Sequence, residues 1–380
     1  MPFPGVTVDV TNGNLAREIT VIDGVPALMV TVSTASLVAA TKQVYSLAEA
    51  ETAGYTEAAE PFAHRLIKEY YDELGGKQLL YVFGTAQSMT MAAAVTATEA
   101  NGISKLLREG NGKINLVAIA RNPASSYQPG NGFLDTDVSA AVTACKSVAQ
   151  AQQAANTPVR LFIEGRVADA SKSNAYEPKT AGNGFAAVVL GGTANDGSAA
   201  VTLALARAVK YAAHVKLGNG ENGALSAQQV YIGSDEIEKR SDMETLHDAG
   251  YLTFHHRPGV SGYYFGRDNM CSEDDYRILA HGRVTDKAQR VAAAAFVPFI
   301  ESDIRMEADG SINATDAKYI EDTLSQAELG ALSGQVSGVK VDVPLNQNVI
   351  ETSRVNINLK VQPLGYMTWI NITMGLATTI

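Results

Sequence analysis

Only two cysteines, Cys145 and Cys271, occur in the 380 residues. Neither belongs to a set with metal-ligand spacing, so a disulfide scaffold and a cysteine-based metal site are excluded, and a reduced, intracellular site of synthesis fits best. Basic charge is also in deficit: 30 Lys and Arg stand against 40 Asp and Glu, a formal net charge of −10. A nucleic-acid binder needs a basic footprint, so nucleic acid is not an expected partner, although local basic faces stay open. Long apolar runs are missing as well. The Ala-rich windows at 88–98 and 288–297 fall short of the roughly 18 apolar residues of a membrane span. The opening MPFPGVTVDV has neither a basic region nor an apolar core, so no secretory signal is readable. The remainder is a globular composition, 46% hydrophobic. Its length suits two domains, or one large α/β domain with an insertion.

Val6, Val8 and Val10 alternate with polar residues and are followed by an Asn12-Gly13-Asn14 turn; they suggest an edge strand or an arm. Residues 19–22 and 28–32 predict two more short strands. From 34 to 215 the pattern changes. Helical stretches near 36–50, 57–74, 88–108, 135–155 and 196–214 are separated by apolar runs at 79–83, 114–120, 159–163 and 185–190. Short unalternated runs between helices imply strands covered on both faces, hence an α/β body with a mostly parallel sheet. Polar loops are expected at 122–132 and 168–184. A short strand at 230–233 and a helix near 242–249 come next. The chain ends in strictly alternating segments at 339–343, 355–362 and 369–374, the signature of half-exposed antiparallel strands. The expected organisation is therefore an N-terminal arm with strands (1–33), an α/β body (34–240) and an α+β C-terminal module (241–380).

Residues 251–299 join an aromatic strand pair to the best-defined helix of the chain. Ser272 is placed to N-cap that helix, with Asp275 three residues on. Tyr276, Ala280, Val284, Ala288, Val291 and Ala295 recur on one face. Arg277, His281, Arg283, Asp286, Lys287 and Arg290 occupy the other, with Asp286 and Arg290 spaced for an i,i+4 pair. The expectation is a helix that lies on its own sheet and shows charge to a neighbour. A second helix is predicted over 315–329.

No chemical motif survives its context. Residues 218–223 spell GxGxxG but follow a helix, whereas the dinucleotide fingerprint follows a strand and opens a helix. His255 and His256 point to opposite faces of a strand and cannot share a metal. Asp303, Glu307, Asp309 and Asn313 surround Gly310 without the ligand order of a calcium loop. Ser337 and Lys340 match S-x-x-K on a strand rather than at a helix start. Cys271 precedes a helix, yet has no His–Asn set to partner it. No catalytic residue, cofactor or metal is expected.

Over residues 245–380, the run LTFHHRPGVSGYYFGRDNMC, the helix DDYRILAHGRVTDKAQRVAAAAF and the terminal VNINLKVQPLGYMTWINITMGL resemble contractile tail sheath proteins of phages, bacteriocins and related injection machines. The resemblance implies a structural, non-enzymatic subunit of a phage tail or tail-like particle, made in the host cytoplasm. It would polymerise as a helical homo-oligomer around an inner tail tube protein, with baseplate and terminator proteins as further partners. It also implies that Val6, Val8, Val10, Trp369, Ile370, Ile372 and Met374 exchange strands between subunits; either helix 272–296 or helix 315–329 is then expected to face the tube, the former through Arg277, Arg283, Lys287 and Arg290. Two alternatives remain at this stage: a doubly wound α/β enzyme built on 79–215, and another self-assembling tail or baseplate component.

Overall fold

The computed structural model describes residues 23–96 and 98–374. The strands expected at 6–10 and 19–22, and with them Val6, Val8 and Val10, lie outside the described residues.

β1 (Pro26–Val32), β2 (Thr41–Val44), β3 (Leu80–Ala86), β4 (Leu116–Ala120), β5 (Arg160–Glu164), β6 (Ala186–Leu190), β7 (Leu252–His256) and β8 (Tyr263–Phe265) form one sheet. Its order is β8-β7-β6-β5-β4-β1-β3-β2. Pairing is parallel from β7 through to β3, and the edge strands β2 and β8 run antiparallel to their neighbours. β1, β4, β5 and β6 are buried at every residue, which is why their sequences do not alternate. α1 (Pro61–Leu74) and α3 (Val201–Lys210) pack on each other and on β1, while α2 (Thr136–Ala154) packs on β5 and β6. Pro61 opens α1, and Gly75 closes it at φ +72°, a left-handed stop that residues with a Cβ adopt reluctantly.

The expected α/β body with a mostly parallel sheet is what folds, but the sheet is wider than 34–240. It takes β1 from the N-terminal segment as a central strand, and β7 and β8 from beyond residue 240. Two expected helices also differ. Residues 41–44 of the 36–50 stretch pair with β3 as an edge strand, because backbone pairing outweighs the small differences in helix propensity. The 88–108 stretch breaks into Met91–Ala94 and Ile103–Glu109. Gly102 sits between them where a Cβ would come within 2.4 Å of the Ala94 carbonyl oxygen.

Beyond the sheet, α4 (Leu279–Phe296) and α5 (Ala314–Ala331) pack together against an antiparallel pair, β9 (Val336–Asp342) and β10 (Asn358–Pro363). Val336, Val339, Leu359 and Val361 close over a small core of Ala213, Val284, Ala288 and Leu332. The alternation expected at 339–343 and 355–362 thus yields two strands, the second beginning three residues late. The segment expected to be a third strand, 369–374, has no strand partner among the described residues.

Within this layer, Glu328 on α5 is fully buried and neither carboxyl oxygen has a hydrogen-bond partner among the described residues. Burial pushes its pKa from the ordinary 4.5 up to about 8. The folded state therefore holds a proton that the unfolded chain releases between those two values. Stability should fall as pH rises across that window, by at most about 1.4 kcal/mol per pH unit, and level off above it. Glu328→Gln should remove this slope and stabilise the protein at pH 8, as read by urea unfolding at several pH values.

Candidate functional site

The helix expected at 272–296 begins only at Leu279. Ser272 does not cap it: its hydroxyl accepts from the Asp274 amide (3.3 Å), and Asp274 in turn accepts from the Tyr276 amide (2.8 Å), so these residues form turns. The cap comes from outside, where buried Asp268 accepts from the Ala280 amide through its carboxylate (3.3 Å) and from the Leu279 amide through its carbonyl (3.0 Å).

The basic side of α4 is turned inward, which corrects the expectation of an exposed charged face. α4 crosses the segments that lead into β1, β4 and β5, where backbone carbonyls lack partners in the sheet. Arg283 donates to the carbonyls of Tyr211 (3.2 Å), Asp23 (3.3 Å) and Ala212 (3.4 Å). Arg290 donates to Gly112 (2.7 Å), Pro158 (2.9 Å) and Ile114 (3.4 Å). Lys287 is ion-paired with Asp23. Burial lowers the Arg283 pKa to about 10, so it remains charged. Asp286 does not pair with Arg290; Arg160, the first residue of β5, grips both its oxygens at 2.6 Å. Of the four residues assigned to the tube, Arg277 alone is exposed.

Gly282 makes that grip possible. A Cβ there would lie 2.7 Å from the Arg160 guanidinium carbon, and the guanidinium is fixed by further bonds to the Gly184 (2.6 Å) and Gly282 (3.2 Å) carbonyls. Gly282→Ala should therefore destabilise the protein by about 1–3 kcal/mol, although alanine is the better helix former; chemical denaturation would check this.

After β10, residues 364–374 form neither helix nor strand. Met367, Trp369, Ile370, Ile372 and Met374 are between 71% and 92% exposed, a run of apolar side chains with no cover. Its root is fixed by Tyr366, whose hydroxyl donates to the His214 carbonyl (2.6 Å). The Tyr366 ring stacks on His281 (5.8 Å) and takes the Lys216 ammonium on its face (4.7 Å). One step out, the Arg267 guanidinium stands over the Trp369 ring (5.5 Å). This is an arm anchored at Tyr366 whose apolar side chains beyond it are exposed.

The carboxyl ends of the parallel strands, where doubly wound folds bind ligands, do carry acids that sequence reading missed. Glu164 at the end of β5 is wholly buried, and burial pushes its pKa up to about 7. Its oxygens accept from the amides of Arg121 (2.7 Å) and Ala199 (3.2 Å). Asp137 accepts from Met91 (2.7 Å) and Ala92 (3.0 Å) and from the Arg121 guanidinium (3.1 Å), which the Tyr127 ring covers. The two carboxylates are satisfied by backbone amides and, for Asp137, by Arg121, and they tie loops to strand ends.

The weak motifs take structural positions. The 218–223 loop is held from beneath by Arg207, which donates to the carbonyls of Asn222, Gly223 and Ala224 while paired with Glu73. His255 is half-buried and His256 exposed on β7. Asp309 accepts from Ser311, and Asn313 donates to Glu307. Ser337 donates to the Pro363 carbonyl across the β9–β10 pair. Cys145 and Cys271 are buried free thiols, and burial pushes both pKa values up, Cys145 to about 12. Arg160 and Tyr366, which sequence reading did not single out, organise the clamp and the arm. Their only sequence signal was an arginine opening an apolar run and a tyrosine just past a Pro-Leu-Gly turn.

No helix among the described residues is long and apolar enough to cross a membrane. No curated protein matches the chain. Among solved structures, it is similar to a chain of the contracted helical sheath of the anti-feeding prophage, with a TM-score of 0.65 at 15% identity, covering 100% of this chain and 99% of that one. A chain in the contracted sheath complex of PVC, an extracellular contractile injection system, aligns with a TM-score of 0.61 at 11% identity, covering 100% and 98%. A chain in the contracted anti-feeding prophage baseplate gives 0.64 at 12%, covering 99% of both. The chain thus shares the fold of these sheath and baseplate chains. Residues 3–269 match the N-terminal domain of DUF2586 and residues 275–380 its C-terminal domain, so the protein belongs to the DUF2586 family.

Proposed function

We propose that this protein is the structural subunit of a contractile sheath, polymerising helically around an inner tube and shortening to drive it. One observation carries the reading: its fold matches sheath chains over at least 98% of both partners. The exposed arm supports it. An unpaired strand bearing Trp369, Ile370, Ile372 and Met374 fits addition to a neighbour's sheet, and Val6, Val8 and Val10 would do the same from the other terminus. Baseplate and terminator proteins would meet the ends of the array. No step needs a cofactor, and the acids at the strand ends already have partners.

Negative-stain microscopy of the purified chain tests this directly. Tubular arrays are expected, and a chain that stays monomeric at every concentration would overturn the proposal. A baseplate component is the second reading, prompted by the likeness to a baseplate chain; it would form closed rings instead of tubes in the same images.

A further inference from the structure

A cleft with a basic wall lies near one end of α4 and an acidic segment beyond the other, while Glu273, Asp274 and Asp275 are exposed just before the helix. Near its amino end, beneath the arm, lies a cleft of about 830 Å³ whose wall includes Lys216, Arg257, Arg267, His247 and His255, with Glu221 its one carboxylate. Arg267 is exposed and has no carboxylate partner among the described residues. The positive field registers on the histidines. Burial and then Arg267 hold His247 below its ordinary pKa, and burial and then Arg257 do the same to His255. Arg277, exposed and also without an ion pair among the described residues, lines the adjoining cleft on the other side of Tyr366, which Asp248 and Glu273 share.

At the carboxyl end, α4 runs into an exposed segment carrying Glu301, Asp303, Glu307 and Asp309. Its single cation, Arg305, is already bound to Asp316 at 2.5 Å. Glu301 and Asp303 have no partner among the described residues, and Glu301 sits at φ +63°, a conformation that glutamate adopts reluctantly. Beside them Val297 and Ile300 are 63% and 71% exposed. The acidic segment thus has an apolar shoulder, as the basic cleft has Trp369. Eighteen helical residues separate the two surfaces by roughly 26 Å, so one copy cannot close the contact on itself.

We propose that residues 297–309 of one copy dock across the two adjoining clefts that Arg267 lines, between Arg257 and Arg277, on a second copy, head to tail along α4. The occupant is a second copy because charge and apolar complement are both present on this chain, in a protein whose net charge of −10 makes a cationic cleft the exception. A contact between two different surfaces does not close on itself, and its repetition gives an open array. The inference rests on the sheath reading and names one interface within it.

Charge exchange tests it. Arg267→Glu with Arg277→Glu, and separately Glu301→Lys with Asp303→Lys, should each raise the critical concentration for polymerisation at least about tenfold, since juxtaposed like charges oppose association. Combining all four should restore most of the loss. All these positions are exposed, so melting temperatures should hold; if a reversed pair fails to fold, Arg267→Gln with Arg277→Gln replaces it. Assembly unaffected by either pair would overturn the interface and leave the sheath reading standing. Failure of the combined variant to recover would also overturn it, showing that the two surfaces matter without meeting. A wild-type chain that never polymerises would overturn both.

Discussion

A chain lacking residues 368–380 is expected to keep its melting temperature and to lose assembly altogether. The apolar side chains from Met367 to Met374 stay 71% to 92% exposed, and stabilisation scales with area removed from water. The segment therefore contributes little to the fold, while its unpaired backbone and uncovered side chains suit a partner. Cutting after Met367 matters, because Tyr366 is a structural residue: its hydroxyl bond to His214, its stacking on His281 and the Lys216 ammonium on its face join the hairpin to the body. A cut before Tyr366 should cost stability for reasons unrelated to assembly, on the order of 1–2 kcal/mol from the hydrogen bond and the ring burial. Thermal unfolding and sedimentation of the two truncations, beside the full chain, separate these effects. If the shorter protein polymerises like the full chain, strand exchange through the C-terminal arm is wrong. Deleting residues 1–12 asks the same of Val6, Val8 and Val10.

Replacing Arg160 with methionine should destabilise the protomer by about 3–5 kcal/mol, because it strands Asp286 as an unpaired buried carboxylate. Arg160 is the largest side chain of the core below 2% exposure. Both its bonds to Asp286 and those to two carbonyls are made inside the protein, where no water replaces them. The second replacement decides the interpretation. Arg160→Met with Asp286→Leu removes both charges and should recover more than half of the loss, since an apolar pair of similar volume often substitutes for a buried ion pair. Urea unfolding of wild type, the two single variants and the double variant completes the cycle. A single-variant cost below about 1 kcal/mol, within the range of an exposed pair, would mean that α4 is held by its apolar face alone. By the same logic, charge reversal at Arg283 or Lys287 is a test of folding and not of tube binding.

The elements of the sheet were legible in the sequence because their physics is local. Unalternated apolar runs such as 114–120 and 185–190 became buried parallel strands within one or two residues of the expected limits, since a strand covered on both faces tolerates no polar position. The alternation at 339–343 and 355–362 became an antiparallel pair, its second strand beginning only at Asn358, with one face on α4 and α5. The apolar residues exposed on the arm were equally readable, as was the lack of a correctly placed glycine loop after a strand.

Tertiary structure alone decided what the charged face of α4 does. A sequence shows that Arg283, Asp286, Lys287 and Arg290 share one side of a helix, and an exposed position is the ordinary outcome for such residues. It does not show that this side crosses the amino ends of three strands, where backbone carbonyls and Asp23 await cations and Arg160 awaits a carboxylate. Burial of a charge is set by its partner, and the partners here are Arg160, Asp23 and backbone oxygens of distant segments. The same holds for Tyr366, which is one aromatic among fifteen tyrosines in the sequence and becomes the root of the arm only because His214, Lys216 and His281 converge on it. Local periodicity determined which residues form the layers; the long-range meeting of polar groups determined which charges were sealed between them and which were left outside for another molecule.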